Sequence, residues 1–172
     1  VGCGLGVCDD TLKIVFSFIE NSTTPLVLDA DALNCVAKQP EILLRKKAPI
    51  IITPHPGEMS RLTGLATPLV NAERERVALD FAQKYGVVTV LKGAGTVIAS
   101  PNGKVLVNPT GNSGMATGGS GDVLAGMTAS ILAQGASAFS SAAAAVYLHG
   151  LAGDIAAEKY GKISMLPTDL IN

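Results

Sequence analysis

Residues 86–107 read GVVTVLKGAGTVIASPNGKVLV, and the order of residue types in this stretch decides the fold class. Gly86 closes a helical segment, Val87 to Leu91 is a near-continuous apolar run, and Lys92-Gly93 ends it. Apolar, β-branched runs bounded by turn residues are strands buried on both faces of a sheet. Thr96 to Ala99 and Lys104 to Val107 follow, joined through Pro101-Asn102-Gly103, and Asn-Gly between β-branched flanks marks a hairpin. The same strand pattern recurs upstream, where Leu26-Val27-Leu28 ends in Asp29 and Ile50-Ile51-Ile52 ends in Thr53-Pro54. Val70 to Tyr85 is expected to form one amphipathic helix, with Val70, Val77 and Phe81 on its apolar stripe. Glu73/Arg76 and Arg76/Asp80 pair on its solvent side, and Gly86 supplies the C-cap. Ser120 to Gln134 is a helix carrying Val123, Leu124, Met127 and Ile131 on one face, and Ser137 to Tyr160 is an alanine-rich helix with a wide apolar face. Strand–helix alternation followed by a hairpin makes this an α/β protein, a layered sheet that is mainly parallel. In such sheets ligands collect at the carboxyl ends of the strands.

A chain of 172 residues is long enough for one domain with a real core. Hydrophobic residues make up 48% and charged residues 16%, which excludes extended disorder. Thirteen basic and fourteen acidic side chains leave a net charge of -1, so neither nucleic acid nor an anionic membrane is an expected partner. Charges or glycines interrupt every apolar run before membrane-spanning length. Cys3, Cys8 and Cys35 have neither zinc spacing nor a disulfide-dense pattern, so three unpaired thiols in a reducing, cytoplasmic compartment are expected. The start at Val1, a glycine-rich turn with no element leading into it, reads as the interior of a domain.

The strongest chemical signal is Asn112 to Asp122, NSGMATGGSGD, running directly into a helix. Gly118, Gly119, Ser120 and Gly121 let backbone N–H groups converge where the helix dipole is positive, which makes an anion hole. Asp122, in the first turn, is suited to accept a proton from a hydroxyl that attacks phosphorus. The alternative is a plain glycine loop with a first-turn acid. Lys92-Gly93-Ala94-Gly95-Thr96 follows a buried strand, and its lysine either holds a phosphate or reaches solvent. His55 lies between Pro54 and Pro56, which fix its backbone, and its imidazole is either a ligand contact or structural. Glu58 begins the next helix, where an acid suits the dipole, or approaches a magnesium ion. Asp29 and Asp31 bind hydroxyls or a hydrated cation, or else Asp31 caps a helix starting at Ala32. Gly2-Cys3-Gly4-Leu5-Gly6 is a tight turn, and His149 reads as a satisfied core residue.

GCGLG, VLDADALN, ITPHPGEMSRL, VLKGAGT and NPTGNSGMATGGSGDVLAG occur here in one order, from Val1 to Asn172. In that order the chain is similar to the ADP/ATP-dependent NAD(P)H-hydrate dehydratases, a branch of the ribokinase-like superfamily. The resemblance implies a ribokinase-like α/β/α domain over residues 1–172 that lacks its N-terminal portion. It implies dehydration of NADHX or NADPHX, the hydrated nicotinamide cofactors, coupled to hydrolysis of ATP or ADP with Mg2+. By the same resemblance, Lys92, Gly93, Ala94, Gly95, Thr96 and Gly121 line the adenine nucleotide. Asp122 is the base facing the hydrated ring, and Gly4 and His55 contact the substrate. A cytoplasmic homo-oligomer is also implied, whereas the metal ligands are not identified. Cys3 stands where the family usually has proline. A ribokinase-like small-molecule kinase and an inactive nucleotide-binding fragment are the competing readings.

Overall fold

The computed structural model describes residues 1–171; Asn172, the last residue of the expected domain, lies outside the described residues. Helix α1 (Asp9–Asn21) precedes strand β1 (Leu26–Leu28), helix α2 (Asp31–Val36), a 3-10 helix over Pro40–Arg45 and strand β2 (Ile50–Ile52). Helices α3 (Pro56–Thr63), α4 (Thr67–Ala72) and α5 (Arg74–Tyr85) lead to strands β3 (Val88–Leu91), β4 (Val97–Ala99) and β5 (Val105–Val107). Two long helices, α6 (Ser120–Ala133) and α7 (Ala138–Tyr160), complete the layers.

The five strands form one sheet in the order β1-β2-β3-β4-β5. β1, β2 and β3 are parallel, with Val27 opposite Ile51 and Ile52 opposite Thr89. β3, β4 and β5 are antiparallel, with Val90 opposite Ile98 and Ile98 opposite Leu106. Connection length explains the change of direction. Helices bridge the first three strands and carry the chain back to a parallel start, whereas the short turn through Lys92–Thr96 permits only an antiparallel return.

Alternation along the strands divides the core between two faces. Leu28, Ile50, Ile52, Leu91 and Val97 point to a cluster closed by α1 through α5. Val27, Ile51, Val88, Val90 and Ile98 point to the opposite cluster, closed by α6 and α7. The sheet is therefore sandwiched between two helical layers, and its three parallel strands are almost wholly buried, as their apolar runs require. Burying one isoleucine side chain such as Ile51 contributes roughly 1.5–3 kcal/mol. Among the described residues no helix is long and apolar enough to cross a membrane.

The single helix expected over Val70–Tyr85 is broken at Glu73, whose φ of -126° and ψ of 41° are not helical. α4 packs on α3 whereas α5 packs along β3 and β4, and the bend lets Val70 and Val77 enter the same core. Arg76 pairs with Glu73 and Asp80 as expected, in exposed positions where such pairs contribute little. Gly86 ends α5 with φ 64°, the left-handed conformation of a C-cap. The Pro101-Asn102-Gly103 turn joins β4 to β5 as read from the sequence.

Candidate active site

The carboxyl ends of β1, β2 and β3 each deliver one polar group to the same edge of the sheet. Asp29 follows β1 and is 2% exposed, and burial of a carboxylate requires a partner. Lys92, at the end of β3, supplies it: Nζ lies 2.8 Å from Asp29 Oδ1. The Lys92 backbone N–H also donates to Pro54 O at 2.8 Å, which locks the end of β3 against the turn after β2. The side chain turns inward, toward the strand ends. The ammonium sits between Asp29 and Glu58, whose Oε2 is 3.9 Å away, with the side chain still 20% exposed.

His55 and Glu58 form a reciprocal cap on α3. Glu58 Oε2 accepts from His55 N at 2.8 Å, and His55 Nδ1 accepts from Gly57 N at 3.0 Å. Because Nδ1 is an acceptor, the neutral ring carries its proton on Nε2, which lies 3.5 Å from Glu58 Oε1. The ring is half exposed, while Glu58, which its Nε2 faces, is buried. His55 therefore has a structural role, capping α3 through Nδ1, and its half-exposed ring remains accessible. Asp31 does not cap a helix starting at Ala32. It is itself the first residue of α2, and its Oδ2 accepts from Gly6 N at 2.8 Å, so it secures the N-terminal turn.

That turn forms a second wall. Val1 lies beside β1, its N donating to Val27 O at 2.7 Å and its O accepting from Asp29 N at 3.1 Å. A Cβ at Gly2 would lie 1.8 Å from Asp29 O, so only glycine permits this approach. Gly4 is exposed at the tip with φ 68°. Cys3 hangs over the strand ends, and its Sγ and the carboxylate oxygens of Asp29 and Asp122 all lie within 4.8 Å of one another. Partial burial pushes the Cys3 thiol up to about 11, helped by its hydrogen bond to Asp122 and by the negative charges of Asp122 and Asp29. The thiol is therefore a neutral donor facing two carboxylates.

The third wall is the glycine loop. Gly119, at φ 96°, is the N-cap of α6, and Val123 N donates to Gly119 O at 3.2 Å. Gly121 faces the ion pair: a Cβ there would lie 3.3 Å from Lys92 Nζ and 3.9 Å from Asp29 Oδ2. Asp122 is exposed in the first turn of α6. His149, from the middle of α7, places Nε2 3.0 Å from Ser120 O, and burial holds its imidazole below the ordinary histidine range. It is the satisfied buried residue that the sequence indicates, and it braces the first turn of α6.

The Lys92–Thr96 segment divides between two environments. Lys92 belongs to the carboxylate cluster, whereas Ala94 and Gly95 line a cavity of about 550 Å³ bounded by Asn71–Arg76, Val97 and Val107. Thr96 Oγ1 closes the turn, donating to Gly93 O at 3.0 Å and accepting from Gly93 N at 3.3 Å. Gly93 packs against the guanidinium of Arg74, whose Nη2 donates to Leu91 O at 2.8 Å. Sequence reasoning missed Arg74, which carries no signal of its own because the helix break one residue earlier leaves the apolar periodicity intact. A second cavity, of about 420 Å³ between α3 and α5, shares no residue with the carboxylate cluster. The structure thus brings Cys3, Asp29, Lys92, Gly121 and Asp122 together, with Glu58 and His55 adjoining. Gly4 and the Ala94–Thr96 turn stand on the periphery.

A sheet flanked by helices on both sides, with charged groups at its strand ends facing a glycine-rich helix start, defines a layered α/β protein with its candidate site at the carboxyl edge of the sheet. Solved structures agree with that class. A ribokinase-like superfamily protein from Enterococcus faecalis superposes with a TM-score of 0.83 at 31% identity, covering 99% of this chain and 58% of the other. The ADP/ATP-dependent NAD(P)H-hydrate dehydratase from Bacillus subtilis, co-crystallized with ATP/Mg2+, superposes with a TM-score of 0.80 at 36% identity, covering 88% of this chain and 53% of the other. The family described as NAD(P)H-hydrate dehydratase matches residues 1–172, and the chain belongs to it. It is 45% identical over its whole length to the bifunctional NAD(P)H-hydrate repair enzyme Nnr of Thermofilum pendens, of which it covers 33%. It is 42% identical over 164 residues to the ADP-dependent (S)-NAD(P)H-hydrate dehydratase of Neisseria meningitidis, covering 94% of this chain and 55% of that protein. The chain thus spans between a third and just over half of the length of these curated relatives.

Proposed function

We propose that this chain carries the dehydratase step of NAD(P)H-hydrate repair, converting (6S)-NADHX or NADPHX to NADH or NADPH with hydrolysis of ADP or ATP. The observation that carries the reading is the placement of an exposed carboxylate, Asp122, in the first turn of α6, beside the buried Asp29–Lys92 pair and below a glycine loop. Asp122 accepts the proton of the C6 hydroxyl as that oxygen bonds to the terminal phosphorus of the nucleotide and the phosphoanhydride bond breaks. The N–H groups of Gly118, Gly119 and Gly121, with Ser120 N–H now given to Thr117 O at 3.3 Å, and the positive end of α6 stabilise the charge that develops on the phosphoryl oxygens. The C6–O bond then breaks with the push of the ring nitrogen's lone pair, phosphate departs with the electron pair, and loss of a C5 proton to the departing phosphate or water forms the C5=C6 bond and restores the dihydropyridine. Phosphorylation turns hydroxide, a poor leaving group, into phosphate.

Lys92, Gly93, Ala94, Gly95, Thr96 and Gly121 are the proposed nucleotide contacts, and Gly4, His55 and Asp122 the substrate contacts. Within this proposal Lys92 keeps one ammonium donor on Asp29 and has others to offer the nucleotide. A hard cation takes one or two carboxylates together with phosphate oxygens. Asp122 and Asp29 fit that donor set, while the protonated Cys3 thiol does not. Mg2+ held by Asp122 and the nucleotide phosphates would neutralise phosphate charge. The proposed self-association draws support from an exposed apolar stripe on α7, formed by Tyr147, Leu148, Leu151 and Ile155.

The test is incubation of this chain with NADHX, Mg2+ and either ADP or ATP. The expected outcome is recovery of NADH absorbance with stoichiometric release of phosphate. A stable phosphorylated product without NADH would assign a small-molecule kinase instead. Nucleotide binding without turnover would leave a binding module.

A further inference from the structure

Asp154 lies on α7, within neither the carboxylate cluster nor the glycine loop, yet its two oxygens are both committed to the loop. Oδ2 accepts from Gly111 N at 2.8 Å, and Oδ1 accepts from Asn112 Nδ2 at 3.0 Å. Those bonds hold the carboxyl below the ordinary aspartate range. Asn112 passes the restraint onward: its Nδ2 also donates to Gly153 O at 2.8 Å, and its Oδ1 accepts from Gly114 N at 3.0 Å. Thr110 adds a bond from Oγ1 to Tyr147 O at 3.0 Å.

The surface of α7 is shaped to receive this segment. A Cβ at Gly150 would lie 2.1 Å from Thr110 Oγ1, and one at Gly153 would lie 2.3 Å from Met115 Sδ. Residues three apart share a helix face, so the two glycines make one bare strip of backbone on which the loop lies. At the far end of the loop His149 fixes Ser120 O. One helix therefore grips the loop both where it begins and where it enters α6.

We propose that Asp154 is a positioning residue that, through Gly111 and Asn112, sets the shape the 111–121 loop presents to a nucleotide phosphate. This rests on the proposed nucleotide-binding role of that loop. The carboxylate is needed because both of its oxygens face donors. Asp154→Asn keeps the size but turns one acceptor into an NH2 group, setting donor against donor. A loop that must be re-ordered for each binding event has its apparent affinity reduced by the fraction that is competent.

The test measures ADP affinity by calorimetry, hydrogen exchange of the 111–121 amides, and thermal midpoint in wild type, Asp154→Asn, Asp154→Ala, Asn112→Ala and the double alanine variant. Asp154→Asn is expected to weaken ADP binding about tenfold. Amide exchange should rise within 111–121 and not in β1–β3. The double variant should lose no more affinity than the worse single one, because the two residues act in series. Unchanged ADP affinity in a folded Asp154→Asn or Asp154→Ala protein would overturn the proposal, and so would additive losses in the double variant. Wild type that binds ADP but leaves NADHX untouched would defeat the proposed activity while the clamp is still read in affinity. Wild type without ADP affinity would defeat both.

Discussion

Asp122 and Cys3 face each other across the strand ends, and their chemistry separates cleanly by experiment. Asp122→Asn removes the proton acceptor while keeping the size and the first-turn position, so kcat should fall by about a hundredfold to ten-thousandfold. The thermal midpoint of the unliganded chain should stay close to wild type, since a first-turn acid contributes only about 0.3–1 kcal/mol to a helix, whereas ADP affinity in Mg2+ should fall with the loss of a cation ligand. Unchanged turnover would remove Asp122 from the role of base. The thiols give a pH test whose sign follows from the thiolate being the reactive form. Cys3 is pushed up to about 11, so its alkylation should stay slow at neutral pH and accelerate only as the pH approaches that value. Cys8 is exposed and lowered by hydrogen bonds from Thr11, so it should react first, while buried Cys35 should remain unlabelled. Asp122→Asn removes one negative charge beside Cys3 and should speed its labelling at neutral pH. Peptide mass spectrometry of timed iodoacetamide reactions reads all of these, and equal rates for Cys3 and Cys8 at neutral pH would contradict the arrangement.

Among the helices, α6 and α7 show how the same residue type serves opposite ends. Gly126 is exposed on α6 with nothing within 4 Å of a built Cβ, so Gly126→Ala should stabilise the protein by about 0.5–1 kcal/mol through helix propensity. Gly153 gains the same propensity from alanine, but its Cβ would fall 2.3 Å from Met115 Sδ and 2.7 Å from Met115 Cγ. Overpacking of this kind costs about 1–3 kcal/mol and outweighs the gain, so Gly153→Ala should lower the denaturation midpoint. Midpoints moving the same way in both variants would show that α7 does not seat the loop. The contrast also marks what the sequence discloses at this scale. Strand ends are legible because Asp29, His55 and Lys92 each follow an apolar run within a few residues, and the loop is legible because its glycines are contiguous. The seat on α7 is not, because Gly150, Gly153 and Asp154 sit in an alanine-rich helix that reads as core. Their partners lie far off in sequence, with 43 residues separating Gly111 from Asp154. The direction of Lys92 is hidden for the same reason, since Asp29 is 63 residues away. The break at Glu73 escapes a periodicity argument because Val70 and Val77 stay on one apolar stripe whether or not the helix bends between them.

Across the whole molecule the charges nearly cancel, thirteen basic against fourteen acidic, so no broad positive field draws a polyanion to the surface. In the proposed function, affinity for a nucleotide therefore arises locally, from the N–H groups of the Gly118–Gly121 loop, the dipole of α6 and a divalent cation. The cation carries much of this, because Asp122, Asp29 and Glu58 oppose a naked phosphate and Lys92 neutralises only part of their charge. A ligand that binds only the folded chain raises its stability by about 2.7 kcal/mol at a hundred times its dissociation constant. For a chain of this length that corresponds to a thermal shift of about 5–10 °C. ADP with Mg2+ should give such a shift, and ADP with excess EDTA should give less than half of it. Equal shifts with and without EDTA would show that the glycine loop and helix dipole suffice and that the carboxylates at the strand ends hold no cation. No shift under either condition would remove the nucleotide from this site altogether.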